Sequence, residues 1–265
     1  MLVVVIHVLG SGLHLIEDGP LDGPPVVLTS GLAGALSDWD PLARLLAPSV
    51  RVLRFDRPGI GANAPSPKAP SARREVAVLD EVLDVAGAPA VLVGHSLAGL
   101  HVEAFARLRP ARVRGAVLVD PSLAPPGIGR PFDAGAVLAT AVVRLGLAGL
   151  AARCASPLLR LAGRPPARAA VVAEFAGYAD LVAEVDALRG AHPLPDVPWW
   201  VLTAGGTLGG ASSARRILGD HGAMAALASH GVHRIVPGSG HLMQLDCPEA
   251  VAEAVLRCVR TGPSR

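Results

Sequence analysis

The chain has 265 residues, 51% of them hydrophobic and 17% charged, enough apolar material for the core of one ordinary domain and too little charge for disorder. Its 24 Lys and Arg nearly balance 22 Asp and Glu, and the net +2 gives no electrostatic footprint for nucleic acid. Three cysteines (Cys154, Cys247 and Cys258) without a C-x-x-C pair argue against a disulfide framework or a zinc site and fit a reducing, cytoplasmic compartment.

In chain order, Val3–Leu9 and Leu13–Glu17 read as two strands joined by a Gly-Ser-Gly turn. The opening apolar run lacks a positive flank, so it reads as a strand and not as a signal peptide. "PPVVLTS" (Pro24–Ser30) and "VRVLRF" (Val50–Phe55) are further strands, with a helix between them beginning near Asp40-Pro41. Next comes a helix with Val76, Leu79, Val82, Leu83 and Ala86 on one face, capped by Ser71 and ended by Gly87. A strand Ala90–Val93, a helix Leu97–Arg109 and a strand Val113–Val119 follow. Continuous apolar strands joined through helices predict a parallel sheet covered on both faces.

The pattern changes after Asp120. Pro125–Arg168 is rich in Pro, Gly, Ala, Leu and Arg, a helix follows around Ala169–Leu188, and residues 124–192 read as a helical cap inserted into a core formed by residues 1–123 and 193–265. The longest apolar run of this segment is interrupted by Arg144 and Arg153, which disfavours stable membrane insertion. Those two residues and Arg160 read as a solvated helix edge. The sheet resumes with "VPWWVLT" (Val197–Thr203) and "VHRIVPG" (Val232–Gly238), and a last helix starts at Pro248-Glu249.

Three stretches carry chemistry. In "VLVGHSLAG" a strand runs into Gly94-His95-Ser96-Leu97-Ala98 and then a helix. That is the context of a nucleophile elbow, G-x-S-x-G with Ala98 in the last position, in which the Leu97 N–H and the helix N-terminus favour a developing oxyanion. In "VPGSGHLMQLD" His241 follows a strand and a glycine loop, late in the chain, where it can serve as general base. In "VVLTSGLAG" the N–H of Leu32 after Gly31 is a candidate second oxyanion donor.

An acid is needed to orient His241. Thr203–Gly219 contains no Asp or Glu. Asp120, at the end of "GAVLVD", keeps the order Ser96, Asp120, His241; Asp220 is the competing carboxylate. Asp56 in "DRPG" reads as a residue holding its own loop, and Glu103 as a supporting or surface residue. His95 and His101 read as packing or pocket lining. His230 and His233 lack further ligands for a metal.

Taken together, "TSGLAGALSDWDPL", "FDRPGIGAN", "VGHSLAG", "VLVDPS" and "GSGHLMQLDCPEAV", in this order over nearly the whole length, resemble the α/β-hydrolase superfamily. The resemblance implies an α/β fold with an eight-stranded, mostly parallel sheet, an antiparallel second strand and a cap after strand six. It also implies a Ser–acid–His triad working without metal or cofactor on a small-molecule substrate; most members place the acid just after strand seven, where Thr207 falls here, and some after strand six, which gives Ser96, Asp120 and His241. Ser30-Gly31 stands where the family often has His-Gly. A serine nucleophile disfavours epoxide hydrolysis and dehalogenation and favours a small or medium apolar ester or lactone. C–C bond hydrolysis, thioester hydrolysis and cofactor-free perhydrolysis use the same residues. A degenerate hydrolase retained as a ligand-binding protein is the reading from outside enzymology.

Overall fold

Apolar strands and helices with one apolar face build a three-layer α/β arrangement. A computed structural model describes residues 4–122 and 165–262. Its strands are β1 (Val4–Val8), β2 (His14–Asp18), β3 (Pro25–Thr29), β4 (Arg51–Phe55), β5 (Ala90–His95), β6 (Val113–Val119), β7 (Pro198–Ala204) and β8 (His230–Val236). They form one eight-stranded sheet in the order β1-β2-β4-β3-β5-β6-β7-β8. β2 pairs antiparallel with both β1 and β4, and the pairs from β4 to β8 are parallel. This is the expected fold, antiparallel second strand included.

β3 and β5 are buried at every position, so they read as unbroken apolar runs. The edge strand β1 alternates instead, with Val4, Ile6 and Val8 exposed. The described helices are α1 (Asp40–Leu46), α2 (Ala72–Ala86), α3 (Ala98–Leu108), α4 (Pro165–Ala176), α5 (Tyr178–Ala191), α6 (Ala211–Ala226), α7 (Met243–Asp246) and α8 (Pro248–Thr261). α2 starts where Ser71 accepts a hydrogen bond from the Arg74 N–H at 3.2 Å and ends at Gly87, whose φ of +67° suits a residue without Cβ.

One face of the sheet packs Leu79 and Leu83 of α2, Leu100 and Phe105 of α3, Leu181 and Val185 of α5, and Met224 of α6. The other packs Leu42 and Leu46 of α1 with Val251 and Val255 of α8. Each such side chain contributes about 1.5–3 kcal/mol by leaving water. Together the two layers make a rigid platform, above which the loops after β3, β5, β6 and β8 converge.

Residues 124–164, the greater part of the expected cap, lie outside the described residues, together with Arg144, Arg153, Arg160 and Cys154. Within the rest of that segment, α5 joins the α2–α3 layer through Tyr178, Leu181 and Val185. Val171 of α4 packs on Ile60, beside Leu32 and Ala33. Among the described residues no helix is long and apolar enough to cross a membrane.

Candidate active site

Ser96 follows the last residue of β5 and stands two residues before α3, with φ at +53°. A non-glycine residue there costs about 1–2 kcal/mol, which the surroundings must supply. Three hydrogen bonds hold the turn: the Ser96 N–H donates to Val119 O at 3.0 Å, and the Gly99 and Ser122 N–H groups donate to Ser96 O at 3.0 Å each. The turn also needs glycine at two close approaches. A Cβ on Gly94 would lie 2.6 Å from Ala98 O, and one on Gly99 would lie 2.8 Å from Pro121 Cβ. Ala98, in place of the pattern's last glycine, is accommodated fully buried.

The elbow turns the Ser96 hydroxyl toward His241, with 3.0 Å between Oγ and Nε2. On its far side the imidazole Nδ1 lies 2.6 Å from Asp120 Oδ2. Because a carboxylate can only accept, Nδ1 carries the proton, and Nε2 is left to accept from the serine. Asp120 is fully buried with φ at +40°. Its N–H donates to Leu202 O at 2.8 Å, and its Oδ1 accepts from the Ala204 N–H at 3.1 Å. β7 thus holds the Asp120 carboxylate in place. Thr207 turns inward on its own loop, donating to Ala204 O at 3.1 Å. Asp220 lies within α6.

His95 has a role that its reading as packing missed. Its Nε2–H donates to the backbone carbonyl of His241 at 2.8 Å, and the two ring centroids are 4.6 Å apart. It therefore fixes the backbone that carries the His241 imidazole. Its place beside the serine in the motif was the available signal.

The loop after β3 presents the second candidate donor. Gly31–Gly34 form a turn in which the Gly34 N–H donates to Gly31 O at 3.1 Å, with Ala33 at φ +59°. Gly31 C=O and Leu32 N–H belong to one trans peptide, so this bond also sets the direction of the Leu32 N–H. Among the described residues neither the Leu32 nor the Leu97 N–H donates a hydrogen bond. Ser30, standing where a histidine is common, accepts from Trp39 Nε1 at 2.7 Å and donates to Ala35 O at 3.0 Å. Asp56 accepts from the Leu36 N–H at 2.7 Å, bracing this loop besides its own. Burial raises the Asp56 carboxyl above its usual range, the Leu36 bond and Arg57 opposing.

Gly31 stands against Ser96: a Cβ there would lie 2.7 Å from Ser96 Cβ and 3.0 Å from His95 O. Gly31→Ala is expected to displace the loop and lower kcat by roughly 10- to 100-fold, the scale of an ångström's misplacement. Steady-state kinetics beside a melting curve checks this; an unchanged kcat would mean that the loop gives way freely.

Below the loop lies a buried ionic cluster. Arg57 forks Glu174 of α4 through Nε (2.9 Å) and Nη2 (2.6 Å), and its Nη1 donates to Ser30 O. Arg74 pairs with Glu75 and lies 3.8 Å from Glu174. Burial works against the Arg57 charge, and Glu174, Glu75 and Asp56 more than offset it. His101 Nδ1 is buried without a hydrogen-bond partner among the described residues, 3.8 Å from Glu75. Burial first, then Arg57, pushes its imidazole down to about 3 from 6.5.

Between those two values the unfolded chain binds a proton that the folded chain refuses. Stability should therefore fall as pH drops below the unfolded value, by up to about 1.4 kcal/mol per pH unit from this group alone. Urea midpoints measured from about pH 7 to about pH 5 should slope less in His101→Gln than in the parent.

Glu103 is no surface residue. It is 1% exposed, bonded to Arg107 at 3.0 Å and to Arg189 of α5 at 2.8 Å through each oxygen. His233 and buried His221 meet at the Thr203 hydroxyl, at 2.8 and 2.6 Å. His230 lies at the surface, 3.3 Å from Asp196. Among the described residues no group of three or more His, Cys, Asp or Glu is arranged to hold a metal ion.

Residues 26–254 match the family model described as the alpha/beta hydrolase family. A protein of Variovorax paradoxus (strain S110) named "Putative carbamate hydrolase RutD" is 40% identical over 114 residues, which cover 41% of this chain and 42% of that protein. The non-heme chloroperoxidase of Streptomyces lividans is 38% identical over 116 residues, 42% of this chain and 41% of that one. The match thus spans about two fifths of the length of these relatives. Among solved structures, the enol-lactonase from Burkholderia xenovorans LB400 superposes over 97% of this chain and 100% of its own, with a TM-score of 0.64 and 21% identity.

Proposed function

The chain belongs to the alpha/beta hydrolase family, and from that premise we propose that it is a serine hydrolase cleaving small or medium apolar carboxylic esters or lactones through an acyl-enzyme. The observation that carries this reading is His241 standing between Ser96 and Asp120, at 3.0 and 2.6 Å.

In this mechanism His241 Nε2 takes the Ser96 proton as Oγ attacks the substrate carbonyl carbon. The carbonyl oxygen gains a negative charge, which the N–H groups of Leu32 and Leu97 stabilise. Asp120 stabilises the imidazolium and holds its tautomer. The tetrahedral species collapses, and the imidazolium gives its proton to the departing alcohol oxygen. Water, deprotonated by the same histidine, then attacks the acyl-enzyme, and as the acid is expelled the imidazolium returns its proton to Ser96 Oγ. A donor pair of this kind accounts for a factor on the order of 10²–10³ per donor in acyl transfer. An apolar acyl group is favoured because Ile60 and Val171 pack beside Leu32. The resemblance to a chloroperoxidase favours one variation: hydrogen peroxide in place of water as the attacking nucleophile in the second half.

A fluorophosphonate probe tests the core of the reading. It should label the wild-type protein at Ser96, and p-nitrophenyl esters of graded chain length should be turned over, with added peroxide assayed for peracid. An unlabelled, inactive protein would leave the degenerate, ligand-binding reading standing.

A further inference from the structure

We propose that Arg57 is a positioning residue for the oxyanion loop, held in place by Glu174 of helix α4, so that the Leu32 donor is correctly aimed only with α4 docked. The inference rests on the serine-hydrolase reading above.

Arg57 is 1% exposed and Glu174 4%. Their residue numbers differ by 117, and one comes from the loop after β4, the other from the segment between β6 and β7. The guanidinium divides its donors: Nε and Nη2 go to the two Glu174 oxygens, and Nη1 goes to the Ser30 carbonyl. A buried ion pair seldom adds net stability over apolar residues of the same volume. What this pair adds is direction, because the planar fork fixes where the third donor points.

The third donor's target is the peptide that leads into the oxyanion loop. Ser30 C=O precedes Gly31, a residue with wide backbone freedom, and Leu32 follows directly. The Ser30 side chain is already anchored by Trp39 and Ala35. Arg57 holds the carbonyl, so the chain enters Gly31 with its last torsion fixed, and the Gly34–Gly31 bond then orients the Leu32 N–H. The same helix reinforces the contact with apolar side chains. Val171 packs on Ile60 with Leu32, Ala33 and Ala170 against them, and a Cβ on Gly59 would come within 2.6 Å of Ala170 Cβ. α4 therefore touches the loop through its apolar side chains and, through Arg57, the Ser30 carbonyl that leads into it.

Two substitutions separate positioning from mere support. Arg57→Lys keeps the charge but cannot span Glu174 and Ser30 with one planar fork. Glu174→Gln keeps the shape and weakens the grip on Arg57. With rates normalised to fluorophosphonate-reactive sites, Arg57→Lys should lower kcat on a p-nitrophenyl ester by about 10- to 100-fold and leave KM little changed. Affinity for a trifluoromethyl ketone, which forms a tetrahedral adduct, should fall by the same factor as kcat/KM. Glu174→Gln should move both in the same direction by less. Should Arg57→Lys fail to fold, the Glu174→Gln measurement decides the matter. Wild-type kcat per reactive site in the folded variants, with only the melting temperature lowered, would overturn the proposal and leave the hydrolase reading intact. A wild-type protein that neither labels nor turns over would overturn both.

Discussion

Ser96→Ala is expected to bring ester turnover to near background, a loss on the order of 10⁶ if the triad acts as the unit it is in serine proteases. The fold should survive, because the Ser96 side chain bonds to His241 while the elbow itself is held by backbone groups. His241→Ala should cost about as much, and the double variant little more than either single one, since removing one member already disables the others. Turnover in a purified protein measures this. Full labelling of the wild type by the phosphonate, and none of Ser96→Ala, excludes a contaminant. Retained turnover in Ser96→Ala would remove the serine mechanism altogether.

Asp120→Asn is expected to lower kcat by about 10⁴, the loss seen when the acid of a protease triad is made an amide. The geometry gives the reason. The Ala204 N–H donates to Oδ1 of the side chain, so the asparagine keeps its oxygen there and turns its NH2 toward His241 Nδ1. A donor facing Nδ1 makes that nitrogen the acceptor. Nε2 then carries the hydrogen toward Ser96 and cannot take the serine proton. Asp220→Asn, altering a carboxylate within α6, should change kcat little. A large loss in Asp220→Asn with a small one in Asp120→Asn would reverse the assignment. No effect from either would leave a Ser–His dyad.

What was legible in the sequence was local. Ser71 and Gly87 bracket α2 because a cap and a left-handed glycine act within a few residues of themselves. The elbow was legible because a buried strand, a serine and a helix stand in direct succession. Choosing the acid from sequence leaned on the family resemblance, since Asp120 and His241 are 121 residues apart in number and meet only in the fold. The grip of Arg57 on Glu174 and that of Arg189 on Glu103 left no trace in periodicity. A charged residue in a pattern reads as exposed until its partner is known, and both partners lie on distant helices. The substitution of Ser30 for histidine was visible, but its compensation through Trp39 became apparent only in three dimensions.

Ser96 and Asp120 follow adjacent strands, joined by the bond from the Ser96 N–H to the Val119 carbonyl. Under the proposed mechanism, Ser96 can take its place beside β6 before the base exists, while Asp120 waits for β7, whose Leu202 carbonyl and Ala204 N–H hold it. The ribosome must add another 121 residues before His241 is made. At about 5–20 residues per second that interval is roughly 6 to 24 s. A nascent chain in this window holds a serine with nothing to deprotonate it, so the hydroxyl stays chemically quiet until β8 closes the edge of the sheet. Under that mechanism turnover waits for His241, and a ribosome-stalled fragment ending before it would be inert however well its early strands had folded.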